Sequence, residues 1–317
     1  MNILVTGGAG FIGSSLSDKL IELGHKVSII DNLSTGKIDN VNGKAKLYIA
    51  NIEDKNINKI FEREKFDIVY HLAAQIDVQE SINNPVYDAD VNILGTINIL
   101  ENLRRYGVRK IIYSSSAAIY GEPKYLGIDE KHQTNPVSYY GISKYVPENY
   151  IKAYSKLWDI DYSILRYANV YGIRQAPKGE GGVISIFMDR MFKNKPVIIY
   201  GNGFSTRDFI YVEDVVDANI KVLDKGNRHI FNIGTGTATN INTLYTTMNR
   251  IMDKVIEVNH QKERKGDIMH SYFNSEKAKK VLGWEAKYSL EQGLTKTIGY
   301  YETQLDNSLE YVAISTS

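Results

Sequence analysis

The sequence predicts an α/β protein in which a doubly wound parallel sheet with helices on both faces is followed by a smaller C-terminal α/β lobe. In the first half, short apolar runs alternate with stretches of helical periodicity, and repeated β-α-β units of this kind build parallel sheets. From about Tyr171 the pattern loosens into shorter pieces separated by glycine turns. We therefore expect a first domain over residues 1–170, a partly interleaved lobe over 171–303 and a disordered tail over 304–317.

The individual elements follow from the period of the apolar residues and from the glycines and prolines that end them. In the first half, strands are predicted at 2–5, 26–30, 46–50, 67–71, 110–113 and 162–165, and helices at about 11–23, 55–65, 85–106 and after Pro136. In the second lobe, strands are predicted at 197–200, 208–211 and 231–233, and helices at about 183–193, 215–224, 242–252, 275–282 and 289–300. Pro147 lies inside the helix after Pro136, and we expect a bend there because proline removes a backbone hydrogen bond.

Three glycines, Gly7, Gly10 and Gly13, follow the first predicted strand and open the first helix. This arrangement is typical of dinucleotide binding, because glycines allow a tight turn and the close approach of backbone to a pyrophosphate at the helix N-terminus. Asp31 ends the second strand, where an acidic residue meets the adenosine ribose hydroxyls. Asn32 follows it, rather than an arginine that could accept a 2′-phosphate. The turn therefore predicts NAD in preference to NADP.

Composition excludes several classes of protein. The 317 residues carry a net charge of +1, without a basic patch for nucleic acid. No apolar run approaches the length of a membrane span, and the first residues already predict a strand, so we expect no signal peptide and a cytoplasmic location. The lack of cysteine excludes thiol chemistry, and the six histidines show no ligand spacing, so no metal site is expected.

The candidate cofactor-binding residues follow the carboxyl ends of the predicted strands. In open parallel sheets, ligands bind in the crevice beyond these ends. We expect one rim to bring together the glycine turn, the loop after the second strand, and the turns after the next strands. The candidates are Gly7, Gly10, Phe11, Ile12, Gly13, Asp31, Asn32, Ser34, Thr35, Gly36, Leu72, Ala73, Ala74, Gln75 and Ser114.

Tyr140 and Lys144 form the candidate catalytic pair. Their spacing puts both side chains on one face of a helix. A cation beside a phenol stabilises the phenolate and lowers its pKa from about 10, which suits a general base near neutral pH. On spacing alone, an incidental surface pair is the better interpretation. The dinucleotide turn and the serines that end the preceding strand favour the catalytic interpretation.

Five motifs together resemble the extended short-chain dehydrogenase/reductase family. They are TGGAGFIG at 6–13, HLAA at 71–74, SSSAAIYG at 114–121, Tyr140-x-x-x-Lys144, and LRYANVYG at 165–172. The resemblance extends to about Tyr300. Within the family, the sequence is most similar to nucleoside-diphosphate-sugar 4-epimerases of the UDP-glucose/UDP-galactose type. The resemblance implies a Rossmann-like domain with NAD and a UDP-sugar substrate.

The resemblance also implies a role for individual residues. Tyr140 is the catalytic base, Lys144 is its electrostatic partner and a ribose contact, and Ser116 binds the sugar C4 oxygen. Around the cofactor, Tyr167 lies near the nicotinamide, and Asn51 and Ile52 contact adenine, although the family more often has aspartate at position 51. The implied substrate contacts, for the diphosphate, the uridine and the sugar, are Asn169, Arg207, Arg264, Val183, Tyr200 and Ser271.

The implied reaction is NAD-dependent C4 epimerisation of a UDP-hexose through a transient 4-keto sugar and enzyme-bound NADH. Dehydratase relatives carry an Asp-Glu pair after the catalytic hydroxyl, where this chain has Ala117 and Ala118, so dehydration is disfavoured. Two alternatives stay open. A nucleotide-sugar oxidoreductase would accumulate NADH, and a non-catalytic NAD-binding sensor would typically lack the tyrosine or the lysine.

The sugar and the oligomeric state are further expectations from the resemblance. Ser271 falls where glucose-restricted members tend to have tyrosine, so we expect room for an N-acetyl group and turnover of UDP-GlcNAc/UDP-GalNAc as well as, or instead of, UDP-glucose/UDP-galactose. The helix from Pro85 and the helix that bears Tyr140 resemble the pair that forms the family's homodimer.

Overall fold

The computed structural model of the chain describes residues 1–177, 182–263 and 268–315. Its strands are β1 (Asn2–Thr6), β2 (Lys26–Asp31), β3 (Lys46–Ile49), β4 (Ile68–His71), β5 (Lys110–Ser116), β6 (Asp161–Tyr167), β7 (Asn169–Tyr171), β8 (Val197–Tyr200), β9 (Thr206–Arg207), β10 (Phe209–Tyr211), β11 (His229–Ile233), β12 (Thr239–Asn240) and β13 (Val258–Gln261). Seven of them form one sheet in the order β11-β6-β5-β4-β1-β2-β3, and every pairing in it is parallel. The predicted Rossmann-like fold is confirmed.

Helices cover both faces of this sheet and continue into the second lobe. They are α1 (Phe11–Glu22), α2 (Asn58–Glu64), α3 (Val78–Asn83), α4 (Pro85–Ala89), α5 (Gly95–Tyr106), α6 (Tyr139–Trp158), α7 (Val183–Phe192), α8 (Val212–Lys221), α9 (Ile241–Ile251), α10 (Glu276–Leu282) and α11 (Leu290–Ser315). α6 begins after Ser138, whose Oγ accepts a hydrogen bond from the Gly141 amide at 3.0 Å. It continues through the buried Pro147 as one helix.

The two faces of the sheet carry separate cores. Alternate residues of a strand point to opposite faces, so Ile3 and Val5 belong to one core and Leu4 to the other. The first core includes residues of α1 and α8, and the second includes residues of α2 and α5. Each large aliphatic side chain buried in this way contributes about 1.5–3 kcal/mol to stability. Tight packing on both faces holds the strand ends, and thus the rim, in fixed positions.

The predicted helix over 85–106 is divided in the structure. A five-residue π-helical segment, Asp90–Leu94, separates α4 from α5. It carries Asn92, whose buried side chain accepts from the Gln75 amide at 2.8 Å and donates to the Gln75 carbonyl at 2.9 Å. The wider helical turn places the Asn92 side chain within reach of the Gln75 backbone. π-bulges of this kind often lie at functional sites.

The second lobe consists of shorter elements. Three two-stranded ladders pair β7 with β10, β8 with β13, and β9 with β12. β11 returns to the edge of the seven-stranded sheet beside β6, so the two halves of the chain share one sheet. A domain division at residue 170 stays a prediction.

The terminal helix differs from the expected tail. The sequence predicts a disordered segment over 304–317, whereas the structure continues α11 to Ser315. The sequence analysis overlooked the apolar residues at 305, 309 and 312, whose spacing is helical.

Candidate active site

A cavity of about 950 Å³ lies beyond the carboxyl ends of the central strands. It extends from the glycine turn and Asp31 to Arg207 and Ser271 of the second lobe. Of the predicted site residues that the structure describes, all line it except Gly36, Asn51 and Tyr200. The rim predicted from the strand ends is therefore a single cavity that both halves of the chain enclose.

The glycine turn is packed too closely for any other residue. Gly7 has a φ of +72°, and a Cβ there would lie 2.7 Å from the Ala73 amide nitrogen. A Cβ on Gly13 would lie 2.1 Å from the Gly7 carbonyl oxygen. Gly10 precedes α1, whose N-terminus has no side-chain cap and no acidic residue in its first turn. The free amides of this helix end suit the anionic pyrophosphate of a dinucleotide.

The end of the cavity at β2 suits an adenosine ribose. Asp31 is buried, and its two carboxylate oxygens accept from the Ala9 amide at 2.9 Å and the Leu33 amide at 2.8 Å. A carboxylate has about four acceptor sites, so two stay available for ribose hydroxyls. Among the described lining residues the only cations are Lys144 on α6 and Arg207 on β9. A 2′-phosphate at Asp31 would meet no arginine, which favours NAD.

Three described residues of the predicted site do not line the cavity, and a fourth predicted residue lies outside the described residues. Asn51 accepts a hydrogen bond from the Asn32 amide group at 2.9 Å, so it supports a lining residue instead. A Cβ on Gly36 would lie 2.9 Å from the Asp31 Oδ1, which places this glycine against that carboxylate. Tyr200 ends β8 and pairs with Gln261. Arg264 lies outside the described residues.

Ser116 and Tyr140 face each other across the cavity floor. Ser116 ends β5, and its Oγ accepts from the Ala118 amide at 3.2 Å, which fixes the hydroxyl at the start of a short turn. Burial raises the pKa of Tyr140, and the side-chain hydrogen bond with Ser116 opposes that shift. Lys144 was predicted to lower this pKa, whereas burial has the larger effect in the structure. A positive charge beside Tyr140 would shift the pKa in the direction opposite to burial.

Lys144 lies one helical turn after Tyr140 and is 4% exposed. Its Nζ lies 4.6 Å from the centre of the Tyr113 ring, which forms a cation–π contact. Burial lowers the pKa of Lys144 to about 7, against the attraction of the Glu148 and Asp88 carboxylates. Burial thus disfavours the charge on Lys144, and the two carboxylates favour it.

A buried hydrogen-bond network supports this pair from the side of α4 and α5. Asn92 donates to the Ser143 Oγ at 2.9 Å and to the Asp88 carboxylate at 3.1 Å. Gln75 also donates to that carboxylate, at 2.8 Å. The network fixes α6 next to the turn after β4, since each of its polar atoms has a partner.

The second-lobe end of the cavity is assembled from separate segments. The Thr206 carbonyl of β9 accepts from the Ser271 amide at 3.1 Å, and Arg207 donates to the same carbonyl at 2.9 Å. Asp208 is 2% exposed and accepts from the Thr235, Gly236 and Phe273 amides at 2.8, 3.1 and 3.2 Å. This carboxylate ties together the loops on either side of Arg207 and Ser271.

Several lining residues were missed by the sequence analysis. The unpredicted α3 contributes Val78 and Ile82, and α4 contributes Tyr87. The N-terminus of α3 carried a usable signal, because Asp77 accepts from the Gln79 and Glu80 amides at 2.7 and 3.2 Å as a helix cap. These residues give the cavity mouth an apolar side.

Comparisons with known proteins identify the family. Residues 4–297 match the family model described as GDP-mannose 4,6 dehydratase. The UDP-glucose 4-epimerase of Thermotoga maritima, solved with UDP-glucose, is 46% identical, with a TM-score of 0.95 over 96% of this chain and 100% of that chain. The UDP-glucose 4-epimerase of Thermus thermophilus, solved with NAD, is 36% identical, with a TM-score of 0.92 over 95% and 99%.

A third structure extends the range of sugars among the relatives. The UDP-N-acetylglucosamine 4-epimerase of Methanobrevibacter ruminantium, in complex with UDP-N-acetylmuramic acid, is 33% identical, with a TM-score of 0.91 over 96% of this chain and 98% of that chain. The chain belongs to the NAD-dependent nucleotide-sugar epimerases of the extended short-chain dehydrogenase/reductase family. The resemblance seen in the five motifs is confirmed.

Among the helices that the structure describes, none is both long and apolar enough to cross a membrane.

Proposed function

We propose that this protein is a UDP-sugar 4-epimerase that interconverts the two C4 epimers of a UDP-hexose. One observation carries the proposal: a single cavity contains the dinucleotide turn, the Ser116–Tyr140–Lys144 cluster and Arg207. Such a cavity can hold a dinucleotide and a nucleotide sugar with a base between them. The relatives described above are named as 4-epimerases, although their family model carries the name of a dehydratase.

Tyr140 is the base that takes the proton from the sugar O4. When bound, NAD supplies a hydride acceptor for C4 and a positive charge on its oxidised nicotinamide. That charge lowers the pKa of Tyr140, in the direction opposite to burial. Lys144 stabilises the resulting phenolate, and Ser116 orients O4 through its hydroxyl. Loss of the O4 proton and the C4 hydride gives a 4-keto sugar, and the reverse transfers on its other face complete the epimerisation.

The second lobe holds the nucleotide and leaves the sugar free to turn. Arg207 grips the diphosphate, because its fixed donor fork matches phosphate oxygens. Asn169 and Val183, which also line the cavity, contact the diphosphate and the uridine. Tyr200 and Arg264 keep their predicted roles as further substrate contacts. Because only the nucleotide end is held, rotation about the diphosphate linkage presents either face of the keto sugar to the cofactor.

Ser271 determines which sugars enter. It lines the cavity, and its small side chain supports the proposal that an N-acetyl group fits beside it. Both UDP-GlcNAc and UDP-glucose are then substrates. Replacing Ser271 with tyrosine is expected to abolish turnover of UDP-GlcNAc and to keep turnover of UDP-glucose. Equal kcat/KM ratios for the two sugars in wild type and S271Y would contradict this role.

A dehydratase is the second candidate, and the residues after Ser116 disfavour it. Elimination of water needs an added acid and base, and Ala117 and Ala118 line this part of the cavity with methyl groups. A net oxidoreductase would need a route by which NADH leaves in each cycle.

The same proposal includes a homodimer. α4 and α6 leave large apolar side chains exposed, among them Val86, Leu157 and Trp158 at 69%, 70% and 52%. Apolar patches of this kind mark association surfaces. We expect light scattering to give twice the chain mass for wild type and the chain mass for Leu157→Glu. The cytoplasmic location stays a prediction.

Product analysis tests the function directly. The purified protein is incubated, without added cofactor, with UDP-glucose, UDP-galactose, UDP-GlcNAc and UDP-GalNAc, and the products are separated by chromatography. We expect each accepted sugar to give its C4 epimer while the NADH absorbance stays level. A dehydrated sugar with level NADH absorbance would replace the epimerase with the dehydratase. In a parallel reaction with added NAD, a steady rise of NADH together with an oxidised sugar would replace it with the net oxidoreductase.

A further inference from the structure

A buried ion pair lies behind the catalytic residues. Glu148 is 0% exposed and Arg166 is 3% exposed. The guanidinium donates to both carboxylate oxygens, from Nε at 2.9 Å and from Nη2 at 2.6 Å. A buried pair of this kind adds little net stability, because removing the two charges from water offsets their attraction. The buried ion pair is therefore better explained by its electrostatic effect on neighbouring residues than by a gain in stability.

Both members of the pair are neighbours of catalytic or cofactor-binding residues. Glu148 stands one helical turn after Lys144 on α6, and Arg166 precedes Tyr167 on β6. The Glu148 carboxylate also accepts from the Ser115 hydroxyl at 2.7 Å, next to Ser116 on β5. The ion pair thus joins the three elements that carry the reacting groups.

The titratable and charged groups around Lys144 come from its own helix and from the elements packed against it. Tyr140 and Glu148 lie on α6, and Arg166 of β6 lies behind Glu148. From the strands, His71 of β4 and Tyr113 of β5 carry no charge near neutral pH, because burial lowers the pKa of His71 to about 3 and raises that of Tyr113. From α4, Asp88 supplies the other buried carboxylate. Lys152 lies 4.0 Å from Glu148, toward solvent. Two buried carboxylates therefore oppose the effect of burial and favour the protonated form of Lys144.

We propose that Glu148 is a positioning residue for the reaction: its buried carboxylate, fixed by Arg166 and Ser115, keeps Lys144 protonated beside Tyr140. This role deepens the proposed epimerase function and rests on it. Without the Glu148 carboxylate, Lys144 loses its proton at a lower pH, and the Tyr140 phenolate then has no neighbouring cation. The alkaline limit of activity should then move toward neutrality, while sugar-nucleotide binding, which uses other residues, stays unchanged.

The test titrates Lys144 directly and needs no turnover. Wild type and Glu148→Gln are treated with a trace of acetic anhydride at a series of pH values, and mass spectrometry measures acetylation of Lys144, which lines the cavity. Because a nearby opposite charge moves a pKa by about 1–3 units, we expect the midpoint in E148Q to fall by about one unit. The same midpoint in both proteins would overturn the proposal.

A matched control shows whether the shift of the Lys144 midpoint is specific to Glu148 or follows the loss of any paired carboxylate. Glu64 accepts from the Tyr48 hydroxyl at 2.6 Å and pairs with Lys46 and Arg63, yet it does not line the cavity. Glu64→Gln is expected to leave the Lys144 midpoint unchanged. A shift as large as that in E148Q would show a nonspecific effect and would contradict the proposal.

Folding and function are checked separately. If E148Q is not recovered folded, the double variant Glu148→Gln, Arg166→Gln leaves no unpaired buried charge, and we expect a shift of the same sign. An unchanged midpoint in the double variant would overturn the proposal. In the product assay, E148Q should lose its activity at lower alkaline pH than wild type with KM within about twofold, as expected when binding energy is kept. Wild type without epimerase activity would refute the proposed function alone, because the labelling result does not depend on turnover.

Discussion

The cofactor side and the substrate side of the cavity are built differently. The cofactor side consists of the ends of β1, β2, β4 and β5 in one continuous parallel sheet with a core on each face. The substrate side consists of two-stranded ladders and loops, which buried polar groups such as Asp208 tie together. This difference suits a reaction in which the cofactor stays fixed and the sugar rotates between the two hydride transfers.

Loss of the Tyr140 hydroxyl should have the largest effect on kcat, because the cofactor side and the substrate side both position their ligands against this group. We expect Tyr140→Phe to lower kcat by about 10²–10⁴-fold, the usual contribution of general acid–base catalysis. KM for the sugar nucleotide should change little. Product formation under saturating substrate measures the effect.

Tyr139 provides the control for this variant. It is the preceding residue of α6, is 51% exposed and does not line the cavity. Tyr139→Phe should keep wild-type kcat. Comparable activity of Y140F and Y139F would remove Tyr140 from the mechanism.

The glycine turn tests the rigidity of the cofactor side. Gly7→Ala places a residue at a φ of +72° with its Cβ 2.7 Å from the Ala73 nitrogen. Strained backbone of this kind costs about 1–3 kcal/mol, and the clash moves the turn away from β4. We expect the purified variant to contain little NAD, measured by absorbance after denaturation.

Gly24→Ala is its matched control. Gly24 has a similar φ of +83°, but a Cβ there would meet nothing within 4 Å. This variant should lose some thermal stability and keep its NAD. If G7A also retained its full NAD content, close packing of the turn would not matter for cofactor binding.

Asp208→Asn tests the substrate side. The amide group of asparagine would face the backbone amides that now donate to the carboxylate, and an unsatisfied buried polar group costs about 1–3 kcal/mol. We expect KM for the sugar nucleotide to rise by about tenfold, which corresponds to about 1.4 kcal/mol. The NAD content should stay unchanged.

Asp214→Asn is the matched control for Asp208→Asn. It is 1% exposed, and its two carboxylate oxygens accept from the Lys287 and Tyr288 amides at 2.9 and 3.2 Å, but it does not line the cavity. Asp214→Asn should lower stability without a rise in KM. Equal KM values for the two variants would refute an organising role for Asp208.

His71 gives the smallest expected effect, on the stability of the cofactor side at acid pH. It is buried between the hydroxyls of Thr6 at 2.7 Å and Thr96 at 2.9 Å, and burial lowers its pKa from 6.5 to about 3. Between these two values the unfolded state binds the extra proton, so stability is full above pH 6.5 and falls as the pH decreases.

From pH 6.5 to 5, wild type should lose about 2 kcal/mol more unfolding free energy than His71→Asn, because one pKa unit equals about 1.36 kcal/mol. Urea unfolding at the two pH values measures the difference. Equal losses of unfolding free energy in the two proteins would show that His71 binds a proton as readily in the folded state as in the unfolded state, and would contradict the lowered pKa.

Sequence patterns predicted the cofactor side better than the substrate side. The β-α-β period and the strand ends are local signals, so Gly7, Asp31, Ser116 and Tyr140 were placed on one rim correctly. The π-helical segment at Asp90–Leu94 could not be predicted, because the long-range hydrogen bonds of Asn92 to Gln75 accompany it.

The substrate side depends on contacts between segments far apart in the chain. No local pattern shows that Asp208 accepts from the Thr235 and Phe273 amides, or that the Ser271 amide donates to Thr206. The family resemblance supplied Arg207 and Ser271, whereas the elevated pKa of Tyr140 became apparent only from its burial.

An isotope experiment tests most directly whether a fixed cofactor returns hydride to a turning sugar. UDP-galactose with deuterium at C4 is mixed with UDP-glucose whose sugar carries carbon-13 and no deuterium, and the mixture is incubated with the protein in ordinary water. Mass spectrometry and NMR then show which molecules contain deuterium. We predict that deuterium stays at C4 of the carbon-12 molecules, in both epimers. Loss of deuterium to water, or its appearance in the carbon-13 sugar, would contradict the account.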